Sequence, residues 1–155
     1  MGYEVDVTAL QMVNALSVVA NGGTLYQPQI IQRVTSQDGL TMYRFQPKKI
    51  RRVIHEDAAN KVRNALMAVV LKGGTGTKAQ VDGFHVAGKT GTAYKPREPR
   101  NRGYHTGRYV VSFMGFLPAE NPRLAGIVVV DDPQNKGFRY GGHVAAPIFS
   151  KIAAA

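Results

Sequence analysis

The chain has 155 residues, 44% of them hydrophobic, which is one domain's worth of sequence with enough apolar side chain to bury a core and so excludes a disordered polypeptide. It contains no cysteine, which excludes a disulfide framework and a thiolate metal site while leaving the redox compartment open. Lys and Arg outnumber Asp and Glu by 20 to 10, and the formal charge of +10 suits an anionic partner such as nucleic acid, anionic lipid or a carboxylate-bearing wall polymer.

Thr8 and Gln11 have capping-box spacing. Ala9, Met12, Val13, Leu16, Val19 and Ala20 then recur at helical intervals until Asn21-Gly22-Gly23 ends the pattern, which predicts an amphipathic helix of about three turns. Gln29 to Ser36 and Leu40 to Phe45 are β-rich and flank Gln37-Asp38-Gly39, so they predict a hairpin interrupted at Pro47, with a short strand at Ile50 to Ile54. A second helix is expected from Glu56 to Lys72: Ala59, Val62, Leu66, Val69 and Val70 share a face, acids open it and Gly73-Gly74 follow it. Past the Gly/Thr-rich turn at 73–77 the chain reads as extended from Phe84 to Ala93, and a long loop is expected from Tyr94 to Arg108. Tyr109 to Leu117 and Leu124 to Val130 are apolar at odd and even positions, which predicts central strands covered on both faces. Pro118 to Pro122 is too short for a crossover helix, so the two should be antiparallel. Ala145 to Ala155 reads as a terminal helix with Pro147 in its first turn. No apolar run approaches a membrane span, and Met1-Gly2-Tyr3-Glu4 has no basic region before an apolar one, so neither export signal nor anchor is expected within these residues.

Gly83-Phe84-His85-Val86-Ala87-Gly88-Lys89-Thr90 satisfies the phosphate-loop pattern G-x-x-x-x-G-K-[ST]. That mechanism needs a loop wrapped on phosphates and a helix opening at the Lys-Thr. Here the intervening Phe, His, Val and Ala suit a strand, and Gly91-Thr92-Ala93-Tyr94 with Pro96 opens no helix. Nucleotide binding is therefore not expected. As a strand, the segment is chemically pointed: Lys89 is a compact cation, Thr90 and Thr92 carry hydroxyls that donate and accept, and Gly91 allows a substrate backbone to come close. At a sheet edge it could pair with an extended peptide and place a terminal carboxylate on the hydroxyls and the lysine.

Four blocks follow in order: 73–79, Gly-Gly-Thr-Gly-Thr-Lys-Ala; 86–93, Val-Ala-Gly-Lys-Thr-Gly-Thr-Ala; 113–119, Phe-Met-Gly-Phe-Leu-Pro-Ala; and 140–149, Tyr-Gly-Gly-His-Val-Ala-Ala-Pro-Ile-Phe. Together with Gly2, Val7-Thr8, Gln11 and Ala20-Asn21-Gly22-Gly23, they resemble the C-terminal part of the transpeptidase domain of class B, monofunctional penicillin-binding proteins, nearest to the division-specific type. The resemblance covers nearly the whole chain. It implies an α+β fold: a predominantly antiparallel sheet flanked by helices, of the penicillin-binding and serine β-lactamase-like transpeptidase kind, here its C-terminal part only, over residues 1–155.

In that family Lys89 would keep the site electropositive, while Thr90 and Thr92 would hold the carboxylate of a terminal D-alanine or a β-lactam. The Thr92 amide would form half of an oxyanion hole. The resemblance thus implies catalytic roles for Lys89 and Thr92 and substrate binding by Lys89, Thr90, Gly91 and Thr92. The implied partners are a peptidoglycan stem peptide or β-lactam, at the outer face of the cytoplasmic membrane as part of a parent protein. The family's sites also use a Ser-x-x-Lys nucleophile box and a Ser-x-Asn box. None of Ser17, Ser36, Ser112 and Ser150 has Lys three residues on or Asn two residues on. The 155 residues alone are expected neither to acylate nor to transpeptidate, with a weak affinity for D-alanyl carboxylates left open, and either to expose apolar surface, to self-associate or to require a complementary chain bearing the missing boxes. The alternative is a non-catalytic binding or scaffolding remnant that uses the basic residues Lys95, Arg97, Arg100, Arg102 and Arg108 on an anionic partner.

His55, His85, His105 and His143 lack metal-ligand spacing, so neither metal nor cofactor is expected. Asp131-Asp132-Pro133 reads as a strand exit. Tyr104 and Tyr109 make a poor stacking platform, and nucleic acid is not an expected partner.

Overall fold

The computed structural model describes residues 5–97, 103–134 and 139–155. Gly2, Arg100 and Arg102, invoked above, lie outside them. Helix α1, Ala9–Ala20, begins at a complete capping box in which Thr8 and Gln11 exchange side-chain to backbone hydrogen bonds. Helix α2, Glu56–Val70, ends two residues before the expected Lys72. Both helices arise where periodicity and end signals agree, which is why their sequence reading holds.

Between them lies a two-stranded ribbon. Strand β1, Thr24–Tyr26, pairs antiparallel with β4, Lys49–Arg52, and β2, Arg33–Thr35, pairs with β3, Thr41–Arg44. The hairpin turns at Gly39, whose φ of 80° is open to glycine without strain. The expected hairpin therefore forms with shorter strands, the expected strand at 50–54 lies at Lys49–Arg52, and its partner β1 is a strand the sequence reading did not anticipate.

The main sheet has the order β5-β6-β7, all antiparallel: β5 Ala87–Pro96, β6 Tyr104–Leu117 and β7 Leu124–Asp131. The expected loop from Tyr94 to Arg108 is largely strand, because Tyr94 pairs with Tyr109 and Pro96 with Tyr104, which carries the β5–β6 ladder past the Lys-Thr-Gly-Thr segment. The antiparallel β6–β7 pair is as expected, but only β6 is central. Among the described residues β7 is an edge strand, with Leu124 and Val129 exposed. Helix α3, Gly141–Ala153, starts four residues earlier than expected. Pro147 thus lies beyond the first turn, where its ring nitrogen withholds the bond an N–H would give the His143 carbonyl.

Alternation along β6 divides the core. Phe113 and Leu117 join Val70, Val86, Ala145, Ala146 and Phe149 on the α3 face, while Phe116 joins Leu16, Ala20, Ala87 and Ala119 on the α1 and α2 face. This is the α+β architecture the resemblance implied, with helices on both sides of the sheet. Among the described residues no helix is long and apolar enough to cross a membrane.

Candidate functional site

Strand β5 carries Lys89, Thr90, Gly91 and Thr92 in succession and pairs only with β6 among the described strands, so its outer backbone edge is open. No helix opens at Lys89-Thr90, which removes the phosphate-loop reading. Two glycines hold β5 tightly on β6. A Cβ at Gly88 would strike the Phe113 ring and the Met114 carbonyl, and one at Gly91 would fall on the Ser112 hydroxyl directly across the ladder.

Thr90 and Thr92 point to the same side of the strand, and both are engaged there. The Thr90 and Thr75 hydroxyl oxygens lie 2.9 Å apart, sharing one hydrogen bond, and the Thr92 hydroxyl accepts the Gly141 N–H at 3.2 Å. Lys89 is exposed, and its ammonium donates to the Thr90 carbonyl at 2.8 Å. Gly141 and Gly142 open α3 and are buried against the strand pair. A side chain at Gly141 would collide with the Ser112 and Gly91 carbonyls, and one at Gly142 with the Thr75 carbonyl. These two glycines let a helix N-terminus, with its partial positive charge, abut the threonine strand.

The proton count follows from these bonds. Because the Thr92 hydroxyl accepts from Gly141, that bond does not use its own proton, which stays available for donation. In the Thr75–Thr90 pair one hydroxyl donates and the other keeps a free proton. With the remaining ammonium protons of Lys89, the strand presents a row of donors beside an open edge, an arrangement suited to a carboxylate.

The four residues singled out in the sequence are therefore contiguous in space as well as in chain. Thr75, Ser112, Gly141 and Gly142 join them, and the sequence reading assigned no role to these; the paired glycines ahead of an apolar helical run were the available signal. Further along the same ladder the Tyr94 and Tyr109 rings stack across the strands at 5.0 Å. The Tyr94 hydrogen bond, helped by burial and the neighbouring tyrosines, pushes the Tyr109 hydroxyl above the usual tyrosine range against the pull of Arg139. The aspartates at the end of β7 are strand-exit residues tied to this region: Lys95 donates to Asp131 at 2.5 Å and Arg108 to Asp132 at 2.7 Å.

The family model described as the penicillin binding protein transpeptidase domain matches residues 1–154. The chain belongs to this family. It is 42% identical over 155 residues to stage V sporulation protein D of Bacillus subtilis (strain 168), covering 97% of this chain and 23% of that protein. It is 36% identical over 151 residues to the probable peptidoglycan D,D-transpeptidase PenA of Neisseria gonorrhoeae, again covering 97% of this chain and 23% of the relative. The apo structure of penicillin-binding protein 3 from Mycobacterium tuberculosis superposes with a TM-score of 0.82 at 36% identity, over 98% of this chain and 35% of that one. That protein has also been solved in complex with aztreonam and with ampicillin. The relatives are class B penicillin-binding proteins, and the C-terminal part of their transpeptidase domain is what this sequence matches. It spans about a quarter of the length of these curated relatives.

Proposed function

We propose that this chain, as one part of the transpeptidase domain over 1–155, supplies the carboxylate-holding wall of a peptidoglycan D,D-transpeptidase. That enzyme cross-links stem peptides by acyl transfer from D-alanyl-D-alanine at the outer face of the cytoplasmic membrane. The observation that carries the reading is the exposed Thr92, whose hydroxyl accepts the Gly141 N–H on a strand that is an edge among the described residues and also bears Lys89 and Thr90.

In this reading Thr90 and Thr92 donate to the terminal carboxylate, Lys89 supplies the positive field, and Gly91 lets the substrate backbone approach the strand. The Thr92 backbone amide is one donor of the oxyanion hole, where it stabilises the charge that develops on the attacked carbonyl. The attacking serine belongs to a Ser-x-x-Lys box, and no such box occurs in these 155 residues. Complexes of a related protein with aztreonam and ampicillin support a β-lactam as the ligand that reports on the site.

The reading is tested with a fluorescent penicillin. The chain alone should take no covalent label. Mixed with a polypeptide carrying the Ser-x-x-Lys and Ser-x-Asn boxes of a class B relative, it should restore labelling that Thr92→Val weakens and Thr92→Ser retains. Labelling of the isolated chain, or none in any mixture, would overturn it. The remnant reading, with basic residues serving an anionic partner, is not favoured, since Lys95 and Arg108 are already neutralised by Asp131 and Asp132.

A further inference from the structure

The outer half of the ribbon, β2 and β3, joins neither core cluster and is all surface. Among the described residues, strands β2 and β3 contact each other and no other element. Every residue of both is exposed. The ribbon continues from the β1–β4 base through Gln27 donating to the Lys48 carbonyl and Phe45 donating to the Gln32 carbonyl, and it turns where Ser36 bonds the Leu40 carbonyl. Ile30, Met42 and Leu40 stand 97%, 71% and 67% exposed, with Val34 and Tyr43 about half exposed. A two-stranded ribbon with apolar side chains in water and both outer edges unpaired is a template for a further strand.

Its charge narrows the occupant. Between residues 24 and 53 stand Arg33, Arg44, Lys48, Lys49, Arg51 and Arg52 against one acid, Asp38. Arg33 lies directly across the ladder from Arg44, a like-charge pair that disfavours the ribbon by itself. No carboxylate among the described residues pairs with either, and the three ion pairs found there lie elsewhere. Gln32, Arg33, Arg44, Phe45 and Gln46 line an open concavity at this point.

The register then specifies a pattern. Arg33 and Arg44 share one face, and their neighbours Val34 and Tyr43, also paired with each other, share the opposite face. A lipid surface offers no regular row of partners for the unpaired N–H and C=O groups of the outer edges, whereas an added strand does. A second copy of the ribbon would bring the same positive charge. A strand laid along an outer edge meets arginine on one face and Val and Tyr on the other. We propose that this ribbon is a docking edge for an extended polypeptide segment of alternating acidic and apolar residues in a partner protein.

The test is fluorescence anisotropy of a labelled peptide of alternating Glu and Val titrated with the full 155-residue chain. A peptide of the same composition with its Glu and Val in two blocks and an alternating peptide N-methylated along one edge serve as controls. The alternating peptide should bind saturably, and both controls should bind far more weakly. Arg33→Glu with Arg44→Glu should weaken binding about tenfold or more, and Val34→Thr with Tyr43→Thr should also weaken it. An unchanged urea midpoint shows that the body of each variant still folds, and cross-strand proton NOEs between β2 and β3 show that its ribbon does. Equal binding of alternating and block peptides would reduce the ribbon to a patch of charge and overturn the proposal. It is likewise overturned by absent peptide binding, by insensitivity to both double variants, by binding to phosphatidylglycerol vesicles in place of the peptide, or by self-association through the ribbon in sedimentation velocity.

Discussion

Thr92 shows how much of the site rests on one atom: its hydroxyl oxygen accepts the bond that ties β5 to the start of α3, which leaves its single proton to be given elsewhere. Thr92→Val leaves the Gly141 N–H without that acceptor, and a loss of about 1–2 kcal/mol in urea denaturation is expected, against a much smaller change for Thr92→Ser. At the opposite end of β5 the His85 ring hydrogen-bonds the Glu120 carboxyl and holds it below the usual glutamate range. A carboxyl whose folded pKa is depressed contributes stability above its unfolded pKa and loses that contribution as the pH falls through the folded value. His85→Ala should therefore move the Glu120 titration upward toward the usual range, which a pH series of its carboxyl carbon resonance measures; an unmoved midpoint would show that the bond does not set it. The residue types of the donor strand were legible because Lys-Thr-Gly-Thr is contiguous. Thr75 and Gly141 were not, since their roles come from hydrogen bonds across 15 and 49 positions of chain.

Among the elements, α1 and α2 were readable to within two residues because their apolar spacing and terminal residues agree. Strand β1 was not, for its three residues carry too little periodicity and are ordered by pairing with β4. The β5–β6 hairpin ran past its expected end for a related reason: a ladder once started continues through polar residues such as Lys95 and His105, which by themselves read as loop. Helix α3 began early because Gly141 and Gly142, poor helix formers in isolation, are the residues that fit against β5 and β6. Packing on β6 dominates the stability of the hairpin. Phe113 is fully buried with its ring 5.0 Å from that of Phe149, and Phe113→Ala should cost about 3–5 kcal/mol by denaturant unfolding.

For the molecule as a whole, the outer ribbon is energetically separate from the body, since among the described residues β2 and β3 pack on no other element. Replacing residues 32–45 by a short Gly/Ser turn should change the unfolding free energy by less than about 0.5 kcal/mol, whereas a larger loss in the urea midpoint would reveal packing of the ribbon on the body. The sequence alone determined the chemical identity of the donor strand, the two long helices and the antiparallel core pair, because each rests on neighbouring residues and regular spacing. Only the tertiary structure decided that β5 is an edge among the described strands, that Thr92 accepts the Gly141 N–H, and that two arginines face each other on an isolated ribbon. Strand neighbours, hydrogen-bond direction and register are relations between distant segments, and no local pattern of side chains encodes them.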